Sequence, residues 1–429
     1  MISKLVPHDL YSKIRLLLDR GFFHIFSSKL INRLVRFATS FVIVRLLDKE
    51  TYGAFSWALN IINFFIIMNG LGVAFAILQF CSERKKTEDK LPFLKYGAKI
   101  GVVFDIIVIT FFVLFLFLFD LPVEGSKEIL ILLVLLPLFM LFQEILGNYL
   151  RSDYKNKKYS FIYIINTLLF FFLTLAGGYF FKVYGIVFAR YLAFAVSVAL
   201  GIKFIYKDLK VLRNISEPPK QQKREFLKYS VIASFNVSIT QILFLLDIFF
   251  VGLIIPDNSV IASYKVATLI PFGLSFIPSS VMAFAYPYFS SNYKNAGKVK
   301  KYFYELQKYM MILNLFITLL LVLFAPLIIR FVFGNEFSDA VLPFRILCFG
   351  YFIGGSFRAT AGNVLASLRK ININLYNGII CGVLNVGLDI ILIYRYGSIG
   401  AAIATVSILF LSSLISNSYL YSYFKKQGV

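Results

Sequence analysis

Twelve stretches of this chain are each long and apolar enough to cross a bilayer, and that repetition leaves few folds open. A hydrocarbon core takes ~20 helical residues to span, and lipid satisfies no open sheet edge, so a chain of this kind is a helical bundle. The spans read as His24 to Leu47, Gly53 to Phe80, Leu94 to Phe119, Glu128 to Tyr149, Tyr159 to Phe181, Tyr184 to Tyr206, Glu225 to Ile255, Ser259 to Phe289, Tyr302 to Leu323, Ala340 to Leu368, Ile371 to Tyr394 and Ile399 to Phe424. With 59% hydrophobic residues the expected class is an all-α integral membrane protein. No cleavable signal peptide is visible, and His8 to Arg20 has the pattern of an amphipathic helix on the membrane surface.

The net charge of +22 has its meaning in where the charge lies. Alternate connections hold 28 Lys and Arg on one side and five on the other, namely Lys49, Lys127, Lys182, Arg330 and Arg395. The positive-inside rule then puts both termini in the cytoplasm and implies an even number of spans. The charge is a topology signal and not a nucleic-acid footprint.

Pro218 and Pro219, within a run of Lys, Gln and Glu, mark a connection that divides the spans six and six. The expected domains are a cytoplasmic segment 1–23, an N-lobe 24–206, a cytoplasmic linker 207–224 and a C-lobe 225–429. The lobes echo each other: DKETYGAFSWA from Asp48 resembles DNSVIASYKVA from Asp257, and FKVYGIVFA resembles YRYGSIGAA. Such internal repeats are the usual construction of secondary transporters, with the substrate path where the repeats meet.

Intramembrane charge is costly and therefore informative. In SSKLINRLVRFATSFVIVRLLDKETYG, Lys29, Arg33, Arg36 and Ser40 share one helical stripe. Lys29 is near enough to the interface to snorkel, whereas Arg33 and Arg36 read as facing a polar interior. Arg190, Lys265, Arg345 and Arg358 are likewise hard to dismiss as snorkelling and are candidate cavity cations for substrate binding. Asp247, in phase with Asn236 and Thr240, reads either as a proton or cation site or as the partner of a buried Arg, pairing being the commoner fate of such charges. Asp105 carries the same alternatives. Asn60, Asn63, Asn236 and Asn377 are candidate sugar contacts, although Asn in membrane helices is more often interhelical glue. Pro271 and Pro278 mark the eighth span for bending, as do Gly350, Gly354, Gly355 and Gly362 the tenth.

Catalytic constellations are absent from the sequence: there is no phosphate-cradling Gly-rich loop with Lys, no HExxH and no GxSxG. Three cysteines and two histidines without ligand spacing predict neither a metal site nor a disulfide framework, and no cofactor is expected.

VRLLDKETYGAFSWALNI, RILCFGYFIGGSFRATAGNVLASLRK and GVLNVGLDIILIYRYGSIGAAIATV resemble the polysaccharide and O-antigen flippases of the multidrug/oligosaccharidyl-lipid/polysaccharide exporter superfamily. The resemblance runs over essentially the whole chain. It implies two pseudo-symmetric lobes around a central cavity, through which an oligosaccharide on a polyprenyl diphosphate crosses to the outer leaflet by alternating access. It further implies cavity cations for the diphosphate, with Arg33, Arg36, Lys265 and Arg358 in plausible positions, and an acidic position at Asp247. Membrane lipids, a polysaccharide polymerase and other assembly proteins are the partners it suggests. A drug or cation antiporter of the same superfamily, expected to have an acid-rich cavity, and a membrane glycosyltransferase or polymerase, expected to have sizeable outer loops, are the competing readings.

Overall fold

The computed structural model describes residues 22–428, except the side chains of residues 22–27, 236, 239, 240, 243 and 244. The amphipathic segment expected over His8 to Arg20 lies outside the described residues. The described chain is helical almost throughout, with no strand among its residues. In order it forms α1 (Phe22–Leu46), α2 (Lys49–Ile66), a 3₁₀ turn (Asn69–Gly72), α3 (Val73–Ser82), α4 (Thr87–Leu118), α5 (Ser126–Leu133), α6 (Leu136–Ser152), α7 (Asn156–Phe204), α8 (Tyr206–Leu212) and α9 (Lys220–Ile254). There follow α10 (Asn258–Leu274), α11 (Phe276–Ser291), α12 (Ala296–Leu323), α13 (Ala325–Ile328), α14 (Val341–Ile353), a π-helical turn (Gly354–Arg358), α15 (Ala359–Ser367) and α16 (Ile371–Lys426). Among the described residues, seven helical segments are long and apolar enough to cross a membrane, and eight when the bent pair α2 and α3 counts as one.

Two of these segments are long enough for two crossings. α7 has 49 residues and α16 has 56, which straight helices would extend to ~75 and ~85 Å, against ~30 Å of hydrocarbon. Both fold back on themselves. The backbone leaves helical geometry at Lys182 (φ 51°, ψ −128°) and at Gly397 (φ 60°, ψ −140°). Gly177 then meets Gly185 backbone to backbone, and Gly400 meets Leu392, whereas residues eight apart on a straight helix are separated by ~12 Å. The turn residue stands five positions after the first contact partner and three before the second in both hairpins. This is the physical content of the echo between FKVYGIVFA and YRYGSIGAA, with Gly185 corresponding to Gly400. Lys182 holds a conformation that only glycine adopts without strain, and its ammonium donates to Leu46 O at 3.2 Å. Lys182→Gly should raise the melting temperature by the equivalent of ~1 kcal/mol, because relieved backbone strain outweighs an exposed hydrogen bond. Lower thermal stability of the variant would mean that the bond to Leu46 dominates.

The other echo has a similar origin. Asp48 Oδ1 accepts from Thr51 N at 2.9 Å ahead of α2, and Asp257 Oδ1 accepts from Ser259 N at 2.8 Å ahead of α10. Both are N-cap carboxylates satisfying the first amides of a helix.

The chain divides into two compact units. The first comprises the described residues through Leu47, Ile62–Asp120 and Lys127–Ser238; the second comprises Asp48–Ile61, Leu121–Ser126 and the described residues from Ile239. The core of the first unit includes Val73, Leu94, Leu141, Tyr149, Ile162 and Phe226. That of the second includes Met282, Phe303, Val364, Leu365 and Phe424.

The basic connections are organised. Lys95 donates to Arg213 O and to Ile215 O at 3.2 and 2.7 Å, and Glu217 is bridged by Lys99 and Lys223, so the segment between α8 and α9 is tied to α4. Lys90 is buried and pairs with Asp153 at 2.6 Å. Burial works against the Asp153 charge, but hydrogen bonds from Lys155 and Lys90 outweigh it and hold the carboxyl below its usual range. The stabilisation is therefore complete at neutral pH and is lost in acid, as the pH falls through the depressed native value. Asp153→Asn leaves the Lys90 ammonium buried without its anion and should cost about 3 kcal/mol. Thermal melting at pH 7 checks this, an unchanged midpoint being the contrary result.

Candidate functional site

In the second unit, α9, α10 and the two limbs of α16 converge on Asp247, which is 5% exposed. Tyr264 Oη donates to Asp247 Oδ2 at 3.1 Å, Thr405 Oγ1 lies 2.5 Å from the same oxygen, and Asn385 Nδ2 is 3.3 Å from Oδ1. The same amide donates to Asp389 Oδ2 at 2.5 Å, and the Asp389 carboxyl lies against that of Asp247. Two ionised carboxylates repel at close range, which a shared proton or a bound cation would relieve. Asp389 Oδ1 is buried without a hydrogen bond. Apart from Asn385 Nδ2 the groups at the acids are oxygens, with Thr405 Oγ1 also 3.0 Å from Ala401 O, and oxygen groups suit a hard cation or a proton.

Pairing of Asp247 with a buried Arg is not what the geometry contains. Its partners are neutral donors and a second acid, and no ion pair among the described residues involves it. The side chains of Asn236 and Thr240, expected on the same face, lie outside the described residues. Asp389 is the component that helical phase within one span could not reveal, since it comes from another helix 142 positions along the chain.

The deep cations are kept apart from these acids. Lys265 and Arg358, in the same unit, are half-buried and form no ion pair among the described residues. Arg358 Nε donates to Ser412 Oγ at 3.0 Å, and its two terminal nitrogens have no hydrogen-bond partner among the described residues. Arg345 is held in a similar way: its Nε donates to Val322 O at 3.1 Å, near the end of α12. In the first unit, the Arg36 guanidinium is within electrostatic reach of Tyr159 and Tyr163 on α7 and of Arg190, which lies 4.9 Å from the Phe170 ring. Arg36 is exposed, as is Arg33 one turn earlier on α1.

Asp105 has a different setting. After α2 the chain passes through Gly70, Leu71 and Gly72, all with positive φ, and α3 leaves at 41° to α2. Such a break frees backbone groups that lipid cannot satisfy. Asp105 Oδ1 accepts from Gly70 N at 2.6 Å, Ser230 Oγ donates to Leu71 O at 2.6 Å, and Ser238 Oγ donates to Ile67 O at 3.1 Å. With its amide oriented to satisfy both ends, Asn69 donates to Asp105 Oδ2 at 3.0 Å and accepts from Leu141 N at 3.1 Å. Asp105 therefore splints a broken helix. Glu144, a nearby acid on α6, was not singled out by the sequence pattern.

Two of the four candidate asparagines bond to neighbouring helices. Asn60 donates to Leu245 O at 3.1 Å, and Asn377 donates to Ser412 O at 2.8 Å and Ser416 Oγ at 2.9 Å. Asn63 is exposed.

This fold is shared with transporters of the MOP superfamily. An inward-facing multidrug resistance MATE family transporter superposes with a TM-score of 0.74 at 16% identity, over 93% of this chain and 96% of the other. The lipid II flippase MurJ in an inward closed conformation gives 0.75 at 17% identity, over 92% and 87% of the two chains. A MOP superfamily transporter from Pyrococcus furiosus, described as having a binding pocket of reverse polarity, gives 0.59 at 15% identity over 95% of each. No curated protein matches the sequence. The chain is thus a multi-pass membrane protein with a MOP-type transporter fold. Residues 18–293 match the family model for polysaccharide biosynthesis proteins, and the chain belongs to that family.

Proposed function

We propose that this protein is a flippase that carries polyprenyl-diphosphate-linked oligosaccharide repeat units from the cytoplasmic to the outer leaflet of the cell membrane, supplying surface polysaccharide such as O-antigen, capsule or exopolysaccharide. Twelve spans with both termini in the cytoplasm and alternating access belong to the same proposal. The observation that carries it is the separation of charge within the second unit: Asp247 and Asp389 lie among neutral donors while Lys265 and Arg358 have no carboxylate partner among the described residues. A fold that needed only neutrality would pair them. Acids without cations and cations without acids each await a mobile partner, which is what an ion-coupled carrier of anions requires. The family match and the likeness to a lipid II flippase support the direction of this reading.

In the proposed cycle Lys265 and Arg358 of the second unit bind the diphosphate, Arg33, Arg36 and Arg190 of the first unit are further anion contacts, and Asp247 with Asp389 binds the coupling proton or Na⁺. An anion moving outward through an inside-negative potential gains ~2.3 kcal/mol per charge per 100 mV. Deleting the gene should therefore trap undecorated lipid-linked repeat units on the cytoplasmic leaflet, detected by leaflet-selective labelling. Normal delivery to the outer leaflet in the deletion strain would contradict the proposal. The likeness to MATE transporters, together with the acid pair, keeps a drug or cation antiporter as the second reading.

A further inference from the structure

The π-helical turn Gly354–Arg358 interrupts the helix that carries Arg358. A π turn inserts one residue into the α-helical ladder, rotates everything beyond it by ~100°, and leaves carbonyls without their usual partners. Here those carbonyls are provided for. Thr360 Oγ1 lies 2.7 Å from Ser356 O and 3.1 Å from Phe357 O, and Asn417 Nδ2 lies 3.4 Å from Phe357 O. Ser356, fully buried, meets Asn314 Nδ2 at 3.2 Å, and Tyr351 Oη donates to Asn314 Oδ1 at 2.8 Å. The irregular turn is thus held from two neighbouring helices.

Its consequence is the direction of Arg358, the last residue of the turn. Arg358 Nε donates to Ser412 Oγ at 3.0 Å. Ser412 is itself fixed, because Asn377 donates to its carbonyl at 2.8 Å and to Ser416 Oγ at 2.9 Å, while Cys381 donates to Asn377 Oδ1 at 3.1 Å. Anchoring a guanidinium through Nε fixes its plane and leaves the two terminal nitrogens as a fork, the geometry that matches two oxygens of a phosphate. No carboxylate occupies that fork among the described residues.

We infer that Ser412, braced by Asn377, is a positioning residue that orients the Arg358 fork toward the diphosphate of the substrate. This rests on the anion-binding role proposed for Arg358. Ser412 touches no substrate and acts only through Arg358.

The test uses the full chain in phosphatidylcholine nanodiscs, with farnesyl diphosphate as the anionic probe and farnesol as the uncharged control. Ser412→Ala should weaken farnesyl diphosphate binding about tenfold, as expected for a lost charge-assisted geometry. Ser412→Thr should restore it, and farnesol binding should not change. In an Arg358→Ala background, Ser412→Ala should add nothing. Weakened binding in Arg358→Ala with wild-type binding in Ser412→Ala would overturn the positioning role and leave the anion role of Arg358 standing. Wild-type binding in Arg358→Ala would overturn both. Equal losses from Ser412→Ala with and without Arg358 would show that Ser412 acts through packing. Should Ser412→Ala not fold, Ser412→Val against Ser412→Thr, alike in shape and different in the hydroxyl, makes the same comparison.

Discussion

Asp389→Asn should leave a folded protein whose transport no longer responds to a proton or Na⁺ gradient. The side chain keeps its size and one oxygen near Asn385, so the packing between the limbs of α16 survives. What disappears is the second negative charge facing Asp247, together with the buried oxygen that has no hydrogen bond. A carboxylate contact to a bound ion is charge-assisted and worth ~1.5–3 kcal/mol, which corresponds to a 10- to 150-fold loss of ion affinity. Asp247→Asn should behave alike, and the double variant should be little worse than either, since the two acids bind one ion. Asp105→Asn should instead lower the melting temperature and keep the ion response, because its oxygens are engaged with the backbone of the helix break. An intact gradient response in Asp389→Asn, with reduced yield, would make the acid pair structural.

Removing the unpaired cations should have the next largest effect. Arg358→Ala, Lys265→Ala and Arg36→Ala should each reduce delivery of lipid-linked oligosaccharide by one to two orders of magnitude, each charge-assisted contact being worth ~1.5–3 kcal/mol. Lys at Arg36 and Arg358 should rescue partly, keeping charge without the planar fork, and Gln should rescue less. Snorkelling would give another order, with Ala, Gln and Lys variants all near wild type once expression is equalised. Arg345→Ala should reduce yield, because its Nε serves the carbonyl of Val322.

The parts of the fold legible in the sequence were those set by local chemistry. The apolar runs and the reversal between Phe181 and Tyr184 follow from span length, and the backbone turns at Lys182 within that interval. The Gly-rich tenth span was marked for distortion, and it carries the π turn. That same turn limits helical-wheel reasoning beyond it, since an inserted residue shifts the phase on which such reasoning depends. The second span read as continuous, although Asn69-Gly70-Leu71-Gly72 contained the signal for its break. At the site, Arg36, Lys265, Arg358 and Asp247 stood out because charge in a membrane is conspicuous. Asp389 and Thr405 did not, because what matters about them is their approach to Asp247 from other helices. Arg345 stands out for its charge too, and its bond to the Val322 carbonyl is a detail that charge alone does not reveal.

The measurement bearing most directly on the transport proposal is translocation in proteoliposomes. The purified protein is reconstituted with fluorescent polyprenyl-diphosphate-linked oligosaccharide, a proton or Na⁺ gradient is imposed, and the probe reaching the opposite leaflet is followed by a membrane-impermeant quencher. Expected is gradient-stimulated movement that requires the diphosphate, is lost in Arg358→Ala, and loses its gradient response in Asp389→Asn. Absence of movement under any gradient, with efflux of a cationic dye by the same vesicles, would contradict lipid-linked oligosaccharide transport and identify a cation antiporter instead.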